Sequence, residues 1–245
     1  MVFLKDYKNI SAKKYGNKAF NLSFCFKNGF NVPNAFFISN VDLIGYKSST
    51  RHTPPRFARN PSSEGNFSKE ILKNFDKLNC HTVSVRSRAN AEDSKKQSFA
   101  GQFLTVLDVQ KNDLLKSISK VVNSTNADYV KHYSGNKNLK MNVIVQKMLQ
   151  PDYSGVIFTK NPVNNNINEI VVEMVKGNAE KLVSGKVQPL TFVLNKKTDN
   201  AKIQYLNLIY SNALMLEKLY GKELDIEFVV KDNVFWVLQV REITT

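Results

Sequence analysis

The sequence predicts an α+β protein. Runs of alternating apolar and polar residues recur along the chain, as in "HTVSVRS" (81–87) and "MNVIVQKML" (141–149), which is strand spacing. Other stretches carry apolar residues at helical spacing, as at 114, 115, 118, 121 and 122. The two kinds do not alternate as regular βαβ units, which argues against a doubly wound sheet.

Each element follows in order. "NKAFNLSFCFKNGF" (17–30) has Phe20, Leu22, Phe24 and Phe26, with Ala19 and Cys25 between them. That pattern alone suits a helix or a strand. Gly29 reads as a helix stop and "FNVPNAFFIS" resumes as strand, so 17–28 is predicted helical. "YKSSTRHTPPRFARNPSSEGNFSK" (46–69) holds three prolines and several serines and reads as a loop or mobile segment. The stretch 112–134 is predicted helical. "SGVIFT" and "NEIVVEMV" follow as strands, and "KLVSGKVQPLTFVLN" mixes turn and strand. "YLNLIYSNALMLEKLYG" (205–221) is a helix closed by Gly221. No internal repeat is visible.

A chain of 245 residues, 42% hydrophobic with 16 Phe and 9 Tyr, buries a real core without staples. No apolar run approaches the ~20 residues of a membrane span. The N-terminal "MVFLKDYKNI" lacks the features of a signal peptide. Cys25 and Cys80 show no metal spacing, and a reduced, cytoplasmic protein is expected. The formal charge is +14, from 35 basic and 21 acidic residues. Such an excess favours anionic partners, among them nucleotide phosphate and nucleic acid. The basic residues are dispersed, so plain solvation explains them equally well, and no motif supports a specific nucleic acid.

The closing "DIEFVVKDNVFWVLQVRE" (225–242) reads as a hairpin. A three-residue loop, Lys231-Asp232-Asn233, would set 230 opposite 234, 228 opposite 236 and 226 opposite 238. Directly opposed residues share a face. The polar face would then carry Asp225 opposite Gln239 and Glu227 opposite Val237, with Arg241 just beyond. A solvated edge explains such a face. So does a metal–phosphate site, since a carboxylate and an amide oxygen suit hard Mg²⁺ and a guanidinium suits phosphate. The hairpin alone does not decide.

Five motifs, in one order, bear on the choice. "VSVRSRANAEDSKKQSFAGQFLTVLDV" (83–109) resembles the V-R-S-S-x-x-x-E-D…S-F-A-G-Q…T stretch of the pyruvate phosphate dikinase and phosphoenolpyruvate synthase family. "GNKAFNLSFCFKNGFNVPNAFFIS" looks like that family's G-G-K-G-x-N-L…G-x-x-V-P-x-G-F. "VIVQKML" with "SGVIFTKNP" is similar to V-Q-x-M-V…G-V-x-F-T-x-x-P. "EMVKGNAEKLVSGKVQP" is similar to E-x-x-x-G-L-G-E-x-x-V-S-G-x-x-x-P, and the hairpin resembles D-I-E-W…L-Q-x-R-P-I-T.

The resemblance implies an ATP-grasp fold of two lobes, 1–152 and 153–245, with ATP and Mg²⁺ in the cleft between them. It implies that Lys18 and Arg86 contact nucleotide phosphate. Gly101 and Thr105 match the loop over the phosphates, and Gln146 the glutamine near the adenine side. Glu227 and Gln239 match the Mg²⁺-binding pair, and Arg241 the arginine on the terminal phosphate. Lys18, Arg86 and Arg241 carry the catalytic role, which in phosphoryl transfer is positioning and positive charge rather than covalent chemistry. Asp225 receives no role.

The sequence departs from the family at Asn17, Arg88, Ala179 and Glu242. None of these is an assigned ligand. The family's multi-domain enzymes also carry a phosphorylated histidine. His52, His81 and His132 do not match its motif. The expected function is therefore transfer of a phosphoryl or pyrophosphoryl group from Mg-ATP to a histidine on a separate domain or protein, and from there to a small-molecule acceptor. The chain is expected to be a piece of a larger enzyme or a stand-alone subunit. A non-catalytic nucleotide-binding module and a direct small-molecule kinase are the alternatives.

Overall fold

A computed structural model describes residues 1–47, 61–89, 104–124, 141–178, 188–197 and 204–243. Tertiary contacts divide the chain into two compact units, Met1–Phe20 with Asn34–Met148, and Asn21–Pro33 with Leu149–Thr245.

The first unit is built on a five-stranded antiparallel sheet. Its strands are β1 (Val2–Phe3), β2 (Ala35–Ile38), β3 (Val83–Ala89), β4 (Thr105–Val109) and β5 (Met141–Lys147), in the order β1-β2-β5-β3-β4. Alternation sorts the residues onto two faces. Phe36, Ile38, Val83, Val85, Val143 and Val145 form one, and all are buried. They pack with Leu43 of α3 (Asn40–Lys47), Ile71 and Phe75 of α4 (Pro61–Asp76), and Leu114, Ile118, Val121 and Val122 of α5 (Leu114–Asn123). The opposite face carries Ser84, Arg86, Ile144, Gln146 and Thr105.

One sequence expectation needs correction here. The stretch 46–69 is not a loop throughout, because α3 runs to Lys47 and α4 starts at Pro61. Proline suits the first position of a helix. Phe67, Ile71 and Phe75 then recur every four residues, with Ile71 and Phe75 buried. Polar neighbours masked that short apolar stripe. Residues 48–60 lie outside the described residues. In 112–134 the α-helix covers Leu114–Asn123, and 125–134 lie outside the described residues.

Helix α2 (Asn17–Lys27) follows the short α1 (Ala12–Tyr15). It ends as Gly29 predicts. The Gly29 amide donates to Phe26 O (3.1 Å) and the Phe30 amide to Cys25 O (3.1 Å), with Gly29 at φ 83°. This is a Schellman ending, which needs the left-handed region that glycine enters freely. Cys25 and Cys80 are free thiols, and burial pushes Cys25 up to about 11.

The second unit holds another five-stranded antiparallel sheet, of β6 (Tyr153–Phe158), β7 (Glu169–Lys176), β8 (Leu190–Asn195), β9 (Leu224–Lys231) and β10 (Val234–Glu242). Its order is β10-β9-β6-β7-β8. Helix α6 (Gln204–Tyr220) lies along the face of Tyr153, whose ring stacks on Tyr205 at 4.6 Å between centroids. Strands β6 and β7 approach closely. A Cβ at Gly155 would lie 2.0 Å from Glu173 O, so only glycine fits there.

The hairpin register also differs from the sequence expectation. The loop is Asp232-Asn233 alone, at φ 51° and 58°, which pairs Val234 with Lys231 and Phe235 with Val230. Two positive φ values define the two-residue turn that matches strand twist. In that register Gln239 would fall opposite Ile226, on the apolar face. A bulge between Val237 and Gln239 inserts Leu238 as an extra residue. Gln239 then pairs with Glu227, and Arg241 with Asp225. Asp225 is therefore not opposite Gln239, nor Glu227 opposite Val237. The outer edge of β10 is braced beside the bulge, where the Val237 amide donates to Asn31 O (2.9 Å).

Candidate functional site

The bulge assembles the polar face of the second sheet. Glu227 and Gln239 are direct neighbours across β9 and β10, and Asp225 and Arg241 form the next pair. Arg241 donates from Nε to Asp225 Oδ2 at 2.6 Å. Asp225 is only 7% exposed, whereas the Arg241 side chain is 49% exposed. Burial pushes the Asp225 carboxyl above its usual range; Arg241 opposes this and the Glu227 charge adds to it. Asp225 fixes one edge of the guanidinium, which leaves the remaining N–H groups for an anion. Glu227 and Gln239 offer a carboxylate and an amide carbonyl, the oxygen ligands that Mg²⁺ takes. Gln239 is 7% exposed and has no hydrogen-bond partner among the described residues.

The first sheet has its own polar face. Arg86 of β3 sits directly opposite Thr105 of β4 and Ile144 of β5. Gln146, two residues along β5, pairs with Ser84 and Ala35. Arg86 is half-buried and Thr105 exposed. Gln146 is 1% exposed, and its Nε2 has no hydrogen-bond partner among the described residues. An unmade hydrogen bond on a buried amide costs about 1–3 kcal/mol. A ligand acceptor, such as a base nitrogen, would offset that cost. Gln146→Met is therefore expected to stabilise the protein by about 1 kcal/mol in urea unfolding and to weaken nucleotide affinity. Equal loss of both would remove Gln146 from the site.

The remaining predicted residues are placed less closely. Lys18 lies in the first turn of α2, half-buried, after Gly16 at φ 88°. Gly101 lies outside the described residues. The structure thus brings Arg86, Thr105 and Gln146 onto one sheet face and Glu227, Gln239 and Arg241 onto another. Sequence reasoning missed the anchoring role of Asp225. A count from a two-residue Asp-Asn turn, with one bulge, would have set it against Arg241.

Among the described residues no group of three or more His, Cys, Asp or Glu forms a metal cluster, and no helix is long and apolar enough to cross a membrane.

Comparison with known proteins places the chain. It is 32% identical to a probable phosphoenolpyruvate synthase of Methanocaldococcus jannaschii over 67% of this chain and 17% of that protein. It is 29% identical to the uncharacterized phosphotransferase YvkC of Bacillus subtilis, over 96% of this chain and 34% of the relative. It is 28% identical to the prodigiosin synthesizing transferase PigC of Serratia marcescens, over its whole length and 33% of the relative. The chain thus spans a third or less of the length of these relatives, or close to it. Among solved structures, PH1788 from Pyrococcus horikoshii aligns with 92% of this chain and 89% of its own, at 13% identity and TM-score 0.49. The D-alanine–D-alanine ligase of Bacillus anthracis aligns with 93% of this chain and 57% of its own, at 11% identity and TM-score 0.44. Residues 61–208 match the family described as pyruvate phosphate dikinase, AMP/ATP-binding domain, and the chain belongs to that family.

Proposed function

We propose that this chain is the nucleotide-binding part of an ATP-dependent phosphotransferase. ATP donates a phosphoryl or pyrophosphoryl group to a histidine of a separate domain or protein, which passes phosphate to a small-molecule acceptor. The bond between phosphorus and the bridging oxygen breaks, a bond from phosphorus to the imidazole nitrogen forms, and ADP or AMP leaves. The observation that carries this reading is the Glu227–Gln239 pair beside an Arg241 anchored by Asp225. Membership of an ATP-binding domain family supports it.

The residues divide the work. Glu227 and Gln239 would hold Mg²⁺, which when bound would offset negative charge on the phosphates. Arg241 directs its free donors at the terminal phosphate, held in one rotamer by Asp225. Arg86 adds fixed positive charge on the first sheet, with the Thr105 hydroxyl beside it, and Lys18 supplies a further charge. Gln146 meets the base. Such preorganised charge, rather than a covalent residue, is what phosphoryl transfer asks of a protein.

Calorimetry tests the first half. ATP is expected to bind, and Mg²⁺ to tighten the binding. No Mg²⁺-dependent ATP binding would end the reading. A phosphohistidine assay with a histidine-bearing partner tests the second half; ATP turnover with no labelled histidine would favour direct transfer to a small molecule.

A further inference from the structure

The polar face of the first sheet carries one more group beside Gln146. Gln146 pairs directly with Ser84 on β3 and with Ala35 on β2, so the three share a face and both neighbours of the amide are short. All three are buried, Ser84 to 2% exposure. Hydrogen bonding alternates along β5. The Lys147 amide donates to Asn34 O on the β2 side and the Met148 amide to Thr82 O on the β3 side. Gln146 and Ser84 are therefore a hydrogen-bonded pair, with α-carbons about 5.5 Å apart. That is close enough for both side chains to meet one small planar group.

The protein satisfies neither side chain well. Gln146 Nε2 has no hydrogen-bond partner among the described residues. The Ser84 hydroxyl donates to Gln146 O at 3.5 Å, far beyond the about 2.7–2.8 Å usual for O–H···O. Ser87, also buried on β3, makes a tighter bond of 3.0 Å to Leu104 O. With its hydrogen turned to Gln146 O, the Ser84 oxygen keeps its lone pairs for another donor. The pair thus forms a two-point notch, an N–H donor beside an oxygen acceptor. Arg86 stands two residues along β3 on the same face, about 7 Å away.

A donor beside an acceptor complements an acceptor beside a donor. Adenine presents that edge, a ring nitrogen next to its exocyclic amino group. Guanine presents two acceptors, N7 and O6, and would draw the Ser84 proton away from Gln146 O. We propose that Ser84 is a specificity residue for adenine, its hydroxyl accepting from the 6-amino group while Gln146 Nε2 donates to the adjacent ring nitrogen. The proposal rests on the reading that this chain binds ATP. Gln146 holds a purine ring, and Ser84 distinguishes which purine it is.

Calorimetry compares ATP with purine riboside triphosphate, which keeps the ring nitrogens and lacks the amino group. Wild type, Ser84→Ala and Gln146→Met are measured with both. Ser84→Ala removes one long hydrogen bond and is expected to leave the melting temperature unchanged. Wild type is expected to favour ATP by about tenfold, the scale of one buried hydrogen bond made or unmade. In Ser84→Ala the preference should fall below about twofold, with affinity for the analogue little changed. Gln146→Met should weaken both nucleotides alike and keep the preference.

A preference kept in Ser84→Ala, or absent in wild type, would overturn the inference and leave the nucleotide reading standing. Equal weakening of both nucleotides in Ser84→Ala would also overturn it, since Ser84 would then serve only the shape of the site. Loss of the preference in Gln146→Met instead would reverse the two roles and overturn it too. Wild type that binds neither nucleotide would overturn both the inference and the reading beneath it.

Discussion

Alanine in place of Glu227 is expected to lower Mg-ATP-dependent phosphoryl transfer by about 10²–10³-fold, the loss typical of one preorganised electrostatic contact. Arg86→Ala is expected to act alike from the first sheet. The fold should survive both changes. Glu227 is half-buried, and its charge raises the cost of ionising the buried Asp225 beside it. Its removal therefore takes that repulsion away. The two variants should differ in mechanism. Glu227→Ala should lose its sensitivity to Mg²⁺ concentration, whereas Arg86→Ala should keep it. Full activity in either variant, with a melting curve like wild type, would sink the assignment of that residue.

Arg241→Ala should behave in the opposite way, with a large cost in stability as well as in phosphate contact. The change strands Asp225, a carboxylate 7% exposed whose ion pair among the described residues is with Arg241. Removing one partner of a buried pair typically costs about 3–5 kcal/mol, and half-exposure of Arg241 places this case at the lower end. The loss has a pH signature. Burial raises the folded-state pKa of Asp225, so the folded state holds the proton more tightly than the unfolded chain. Stability from this group is then full below the unfolded pKa, about 3.9, and is lost as pH rises through the folded pKa. Without Arg241 the folded value rises further. The deficit of Arg241→Ala should therefore shrink as pH falls through the acid range and be widest at neutral pH. Urea unfolding across pH 4–8 measures it. Asp225→Asn combined with Arg241→Ala should recover most of the stability. A pH-independent deficit would mean that Arg241 acts through packing.

Periodicity read from residues 81–87, 141–149 and 205–221 was enough to place β3, β5 and α6, because each keeps one apolar face over at least three turns or alternations. It failed at α4. There Phe67, Ile71 and Phe75 are the whole apolar stripe, diluted by serines, lysines and asparagines. The hairpin was legible as two strands with one polar face. Its pairing was not, since turn length and bulge position leave no trace in alternation. Both errors of one residue ran the same way along β10, so Gln239 and Arg241 stayed on the polar face while their partners changed. The choice of Lys18, Arg86, Gly101, Thr105 and Gln146 came from family resemblance, not from pattern. Asp225 could be understood only once Arg241 was seen opposite it.

The bulge in β10 has a consequence for how such chains are compared. Between the turn and the Glu227–Gln239 pair, β9 spends four residues, 228–231, and β10 five, 234–238. Leu238 is the surplus. A homologue with one residue fewer in this strand would still set its glutamine opposite the glutamate, by a regular ladder. Gap-free counting between two such chains would pair the glutamine of one with its neighbour in the other. In this hairpin a length difference of one residue is silent for the ligands, and position relative to the turn is a poorer guide to equivalence than the partner across the strand.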